Sequence, residues 1–465
     1  MSPRPAPLPP EEDDALLARL RETFHAEADA VVPFSGRMRS IAAVHDWAAR
    51  RRATRRRVLA GAATLVAVAL IGGASAAVAN RPARSTSVGV TAPNQPQATF
   101  GSRLHVTPSP TKRGLPAARP VAVPAGFAPL SATFVTPDIG YTLGTAPCSG
   151  GRCLLLAGTL DGGRHWQSLG DPAPSAGASI GTGSLTSMHL GVRFADQDNG
   201  WIYGYLGSTP VLWWTTDAGS SWQALAPTAM QGGGIAALEA TAGRAQAVVL
   251  RAVPPGIQVA SAGKASAGWK AVSGILPAGD VNAAHPDLVL QQTAGWLLEQ
   301  DPTYVAGARL SPSGSWTRWS PSCASSAYRV LLAAPTPTDL FELCQAASPH
   351  GGGTVYVSGR GGQAGSWQPV GPTPGGLTPQ AISANTTGSF AVAGQQGGRA
   401  VILLRDTTAW VDPAWSGRGS FSQLGFENTD QGIAVLRTAT GSQMLMTTDG
   451  GFNWHTVDFQ QAPAG

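Results

Sequence analysis

Charge is scarce in this chain. Asp, Glu, Lys and Arg make up 13% of its 465 residues, and only 3 of them are Lys. No long helical periodicity follows residue 80, which argues against a helical domain in the larger part of the molecule. Cysteine is limited to Cys148, Cys153, Cys323 and Cys344, and no paired Cys-x-x-Cys spacing exists, so a structural zinc site is not expected. The eight His form neither His-x-His nor His-Glu-x-x-His. Gly-x-Ser-x-Gly is absent, and Gly232–Gly234 and Gly351–Gly353 lack the Lys-Ser/Thr of a phosphate loop. No cofactor, metal or catalytic residue is therefore assigned. What is abundant is Gly (58) and Pro (37), with Val, Leu, Thr and Trp. Low charge and many turns suit an all-β protein.

The net charge of +5 hides a partition. Residues 1–57 carry 11 Arg and 8 acids, and residues 80–130 carry 6 basic residues and no acid. Residues 131–465 carry 15 Lys or Arg against 19 acids. The basic character thus belongs to the amino-terminal part. A slightly acidic larger part without a basic stripe does not suit nucleic acid. Arg outnumbers Lys 29 to 3 and Ala and Gly are common, which points to a GC-rich bacterial genome.

Three stretches share one pattern, Thr-x-Asp-x-Gly-x-x-Trp. They are Thr159–Trp166 with Asp161 and Gly163, Thr215–Trp222 with Asp217 and Gly219, and Thr447–Trp454 with Asp449 and Gly451. An apolar, strand-like run precedes each. Gly supplies positive φ in a tight turn, the Asp carboxylate can accept turn N–H groups, and Trp opens the next strand with a large packing face. A second element precedes each of them: Phe134 to Gly140-Tyr141, Phe194 to Gly200-Trp201, and Phe426 to Gly432-Ile433. It reads as strand, tight turn, strand.

The eight-residue pattern resembles the Asp box, or BNR repeat, of sialidases, sortilin-like receptors and photosystem II assembly-factor-like proteins. The resemblance implies a β-propeller in which the box joins the third and fourth strands of a blade, away from the ligand face. The Asp and Trp residues then serve as hairpin clips and not as catalysts. Counterparts that have lost the Asp end in Trp269, Trp316, Trp367 and Trp410. Successive box-position Trp residues are 56, 47, 47, 51, 43 and 44 residues apart, the spacing of propeller blades. Seven four-stranded blades are expected over residues 126–465, with six or eight still open. A strand from Val121–Val123 added to the last blade would close the ring.

Residues 58–79 are 22 uncharged residues, about 33 Å as a helix at ~1.5 Å per residue, enough for a bilayer core. Six Arg within Arg50–Arg57 stand immediately before them, which places the amino terminus in the cytoplasm and the propeller outside the cell. Two alternatives are cleavage after Ala77-Val-Ala79 and twin-Arg export, and both leave the propeller in the same compartment. Residues 1–57 read as a short cytoplasmic helical segment, 58–79 as a transmembrane helix, and 80–125 as a Pro/Ser/Thr-rich linker. An exported domain favours disulfides, and proximity pairs Cys148 with Cys153 and Cys323 with Cys344.

A sialidase would need three Arg clamping a carboxylate and a Tyr–Glu nucleophile pair. Nothing matches its Phe/Tyr-Arg-Ile-Pro motif, and no Tyr–Glu pair follows from spacing. The expectation is a single-pass membrane protein whose propeller mouth binds a protein or envelope glycan as a non-catalytic binding or assembly module. A sialidase-like glycoside hydrolase is one alternative. The other is a transmembrane sensor that relays ligand occupancy to the cytoplasm.

Overall fold

The structure, a computed structural model, describes residues 121–460 apart from short stretches, the longest being 178–187, 226–233 and 273–285. The expected cytoplasmic and transmembrane segments lie outside the described residues, as does all of the linker except 121–125. Among the described residues no helix is long and apolar enough to cross a membrane.

Seven four-stranded antiparallel sheets form a seven-bladed β-propeller, each sheet a meander of four consecutive strands. Their first strands are Ala128–Phe134, Met188–Phe194, Gly234–Thr241, Asp287–Gln291, Ala327–Ala333, Leu377–Ala384 and Ser420–Phe426. Neighbouring first strands approach one another around the ring, so they line its centre. The one regular helix among the described residues, Pro172–Ser175, is a single turn between the first and second sheets.

Both faces of every blade must be buried, and the sequence meets this with unbroken apolar runs. In Arg399–Arg405, Val401 and Leu403 pack towards the fifth blade, while Ala400, Ile402 and Leu404 pack towards the seventh. Period-two alternation sends successive side chains to opposite faces, so a run apolar at every position serves two cores at once. Seven apolar clusters result, one at each blade-to-blade contact.

The cluster between the last and first blades closes the ring by packing. Phe134, Trp166 and Leu155 of the first blade meet Ile433, Met444 and Met446 of the seventh. Among the described residues no strand is exchanged across this seam. Val121–Val123 does not join the last blade: Ala122 bridges to Gln167 on the outer strand of the first sheet, and Ser168 N–H donates to the Val121 carbonyl at 2.7 Å. Val123 is buried beside Phe459, and Gln460 Nε2 donates to its carbonyl at 3.1 Å. The segment straps the outer edge of the first sheet to the end of the seventh.

The central strands leave one edge of backbone groups without a neighbouring strand, and polar side chains from the adjoining blade fill part of it. Gln423 of the seventh blade accepts from Ala132 N–H at 3.0 Å and donates to Ala132 O at 2.6 Å. Gln300 of the fourth does the same for Val330 of the fifth, at 2.8 Å in both directions. Gln380 accepts from Phe421 N–H, Ser383 from Phe426 N–H, and Ser131 from Val192 N–H. These amides and hydroxyls act as short substitutes for an eighth sheet edge.

Candidate functional site

Strand direction alternates within each meander, so each propeller face collects one set of connections. One face holds the turns joining strands one to two and three to four. The other holds the turns joining strands two to three and the links between blades.

All three Thr-x-Asp-x-Gly-x-x-Trp stretches lie on the first of these faces, and their hydrogen bonds superimpose. The Thr Oγ1 of residues 159, 215 and 447 accepts the Gly N–H of residues 163, 219 and 451 at 3.0, 3.1 and 3.0 Å. It donates to Oδ1 of Asp161, Asp217 and Asp449 at 2.9, 2.7 and 2.8 Å. The same oxygen accepts the N–H of His165, Ser221 and Asn453 at 2.9, 2.9 and 3.0 Å. Oδ2 takes the side chain of that residue: His165 Nδ1, Ser221 Oγ or Asn453 Nδ2. The variable position before Trp is thus a donor in all three turns. Partial burial pushes each Asp carboxyl up, but these donors more than reverse it and hold all three below the usual carboxylate range.

The indole N–H of Trp166, Trp222 and Trp454 closes each turn on the carbonyl of Gly163, Gly219 or Gly451. The indole itself is buried and meets the ring of Phe134, Phe194 or Phe426 edge-on, with centroids 6.1 Å apart in each blade. The paired Gly of the first hairpin explains the second sequence element. Phe134, Phe194 and Phe426 lie opposite Gly140, Gly200 and Gly432, where a Cβ would fall 2.7, 2.6 and 2.9 Å from the ring. The two hairpins of a blade are also tied together: Gly162, Ala218 and Gly450 N–H donate to Asp138, Asp198 and Asp430 carbonyls. All three donors have positive φ, including the non-glycine Ala218 at 58°.

The fifth blade keeps the clasp without its carboxylate. Ser358 Oγ accepts Gly362 N–H at 2.9 Å and meets Ser366 Oγ at 2.6 Å, and Gly361 N–H reaches Thr338 O at 2.5 Å. Arg360 stands where the Asp would be, and two extra residues separate Gly362 from Trp367. From sequence this unit reads as one that has lost its Asp, and the Ser pair is missed. The signal was present in Ser358 two residues before Arg360 and in the Gly361-Gly362 pair.

The opposite face carries both disulfides. Cys148 and Cys153 close the second hairpin of the first blade, and Cys323, on the link from the fourth to the fifth blade, joins Cys344 on the second strand of the fifth. Both cysteines of the second bridge line a cavity of about 380 Å³ together with Tyr356 and Thr373. Glu342 is buried behind them. Its carboxylate accepts the N–H groups of Ser322 and Cys323, yet burial outweighs those donors and raises the carboxyl above its ordinary range. Cys323, Glu342 and Cys344 lie close enough to hold a metal ion, but sulfurs joined in a disulfide offer no thiolate.

Along the central strands an ion pair between the second and third blades extends by a hydrogen bond to the first. Arg193 Nε meets Glu239 Oε1 at 2.8 Å, and Nη1 donates to Ser131 Oγ and to its own neighbour's carbonyl, Val192 O. Burial raises the Glu239 carboxyl and Arg193 works against it. Arg193 is thereby engaged on its carboxylate, its hydroxyl and its carbonyl.

The fold and its clasped turns define a seven-bladed, four-stranded β-propeller. No protein-family model matches the chain, and no curated protein matches it. Solved propellers do. A prolyl endopeptidase shares 10% identity over 71% of this chain and 49% of its own, with a TM-score of 0.50. YCF48 from Cyanidioschyzon merolae shares 18% over 71% of this chain and 96% of its own, with a TM-score of 0.46. Virginiamycin B lyase from Staphylococcus aureus shares 10% over 71% and 98%, with a TM-score of 0.45. At these identities the likeness is one of architecture.

Proposed function

We propose that this chain is an Asp-box (BNR) propeller held outside the cell by a single membrane helix at residues 58–79. In this reading it serves as a non-catalytic binding or assembly module for a protein or envelope glycan. The observation that carries the reading is the segregation of the two faces. On the clasp face the Asp and Thr of the three motifs are consumed in closing their own turns, and the Trp indoles in packing between blades. The other face has two of its loops pinned by disulfides, and loops made rigid before contact lose less freedom on binding.

Photo-reactive residues placed singly in the intact, membrane-associated protein test this. Positions 207 and 375 represent the disulfide-bearing face and positions 386 and 429 the clasp face. A specific crosslinked partner from the first pair alone supports the reading. Crosslinks from the clasp face alone would overturn it. Anchoring is tested separately by protease treatment of intact cells, which should remove the propeller and leave residues 1–57 protected.

A further inference from the structure

The faces also differ in sign of charge, and this carries a proposal about the partner. On the clasp face the sixth, seventh, first and second blades bear Asp138, Asp161, Asp217, Asp406, Asp430 and Asp449, against the cations Arg164 and Arg405. On the disulfide-bearing face the sixth, seventh and first blades bear the cations Arg399, Arg418, Arg437 and Arg152, and the second bears His189. The described acids on that side of these blades are Asp171 and Asp458. Asp171 caps the one-turn helix by accepting Ala173 N–H, and Asp458 lies on the outer side and accepts Gln460 N–H. The links 178–187 and 226–233 carry no charged residue in their sequence.

The cations form an arc. Arg399 opens the third strand of the sixth blade, and its Nη2 donates to Ser416 Oγ at 3.1 Å. Arg418 lies on the link to the seventh blade, beside Gly419, whose Cβ position would fall 2.2 Å from the Arg437 carbonyl. Arg152 of the first blade is held by Thr145 Oγ1 and by the carbonyls of Thr145 and Gly126. His189 of the second blade feels burial first and Arg437 next, and both lower its pKa. Arg152, Arg399 and Arg418 are exposed, and Arg437 and His189 are half-buried.

We infer that this arc docks an acidic polypeptide segment, one whose Asp and Glu carboxylates meet Arg399, Arg418, Arg437 and Arg152. This names the partner for the binding module proposed above and rests on that reading. All four cations are Arg, whose planar fork matches a carboxylate bidentately. Arg152 and Arg399 are also fixed by neutral hydrogen-bond acceptors, which places discrete charges on separate blades. Discrete, pre-positioned guanidiniums select a particular spacing of carboxylates, whereas a brush of flexible Lys would accept any polyanion. The acidic opposite face turns such a partner away and so orients the encounter.

The test is binding of a fluorescent oligo-glutamate peptide to the full-length protein in detergent, with the double variant Arg399→Glu/Arg418→Glu beside Arg164→Glu/Arg405→Glu. The first should weaken binding about tenfold or more, the second should not, and added salt should weaken the wild type steeply. Arg399→Gln/Arg418→Gln gives an intermediate loss if charge is responsible, and equal melting temperatures show that each variant is folded. Equal affinity of all variants would overturn the proposal, as would tighter capture of polyphosphate or of anionic-lipid vesicles by the same arginines. Crosslinking to a partner from positions 207 and 375 that survives Arg399→Glu/Arg418→Glu would leave the binding reading standing and remove only the acidic-partner inference.

Discussion

The two faces of this propeller solve different problems with different chemistry. On the clasp face, three turns from blades one, two and seven reproduce the same hydrogen bonds to within about 0.2 Å. The fifth blade keeps the hydroxyl-to-Gly N–H bond with a pair of serines, and its Gly362 carbonyl takes the indole N–H of Trp319 from the fourth blade. On the opposite face the described loops show no repeated clasp, and two of them are fixed covalently. The lesson is that repetition marks the side that stabilises the ring. The side free of that constraint can diverge in sequence and charge.

Breaking a clasp should therefore unfold the protein without touching recognition. Trp222→Ala has the largest expected effect, about 4 kcal/mol, because a buried indole is lost along with its contact to Phe194 and its bond to Gly219 O. Urea unfolding reads the loss, and crosslinking from positions 207 and 375 should persist in the folded fraction. A loss of crosslinking in fully folded Trp222→Ala would mean that the faces are not independent.

Replacing Cys323 and Cys344 together by Ser opens a 21-residue separation, with an expected cost of about 3 kcal/mol from chain entropy. Unlike the clasp variant, it should also weaken partner binding under native conditions. Stability loss with unchanged binding would mean that this bridge serves only the fold.

Asp217→Ala removes the acceptor of Thr215, of Ser221 N–H and of Ser221 Oγ, and should cost about 2 kcal/mol. Asp217→Asn keeps the shape and should cost less. The clasp carboxyls are held below their unfolded value of ~3.9, so their stabilisation is complete above that pH. It disappears as pH falls through the lower folded values. Asp217→Asn should therefore flatten the acid limb of the stability curve, and an unchanged limb would show that Asp217 is not held low. Ser358→Ala, at about 1 kcal/mol, should have the smallest effect and tests whether the Ser pair replaces the missing carboxylate.

The blades were legible because a propeller repeats its local chemistry. Each of the seven regularly spaced Trp residues opens or shortly precedes a fourth strand, from Trp166 before Gln167–Gly170 to Trp454 before His455–Thr456. Phe134, Phe194 and Phe426 were legible as part of a motif, but their reason was not. Only the register opposite Gly140, Gly200 and Gly432 shows that the glycines make room for the rings. Val121–Val123 was apolar enough to be a strand. Its partner depended on which sheet edge lay nearest, and that edge belonged to the first blade and not the last.

The candidate site was less legible than the fold. Arg399, Arg418, Arg437 and Arg152 are isolated in a chain of low charge, separated by up to 285 residues, and nothing local marks them. Gln300, Gln380 and Gln423 likewise look like polar interruptions in apolar strands until a neighbouring blade places a backbone edge beside them.

The sequence alone determined the repeat, the strand-turn chemistry, the alternation that gives each blade two apolar faces, and the four cysteines. These are local properties, set by backbone conformation and side-chain size over a few residues. The tertiary structure alone decided ring closure by packing, the sorting of clasps and disulfides to opposite faces, and the gathering of distant arginines into one arc. Those depend on which strand ends point the same way, a fact that exists only once seven meanders stand around a common axis.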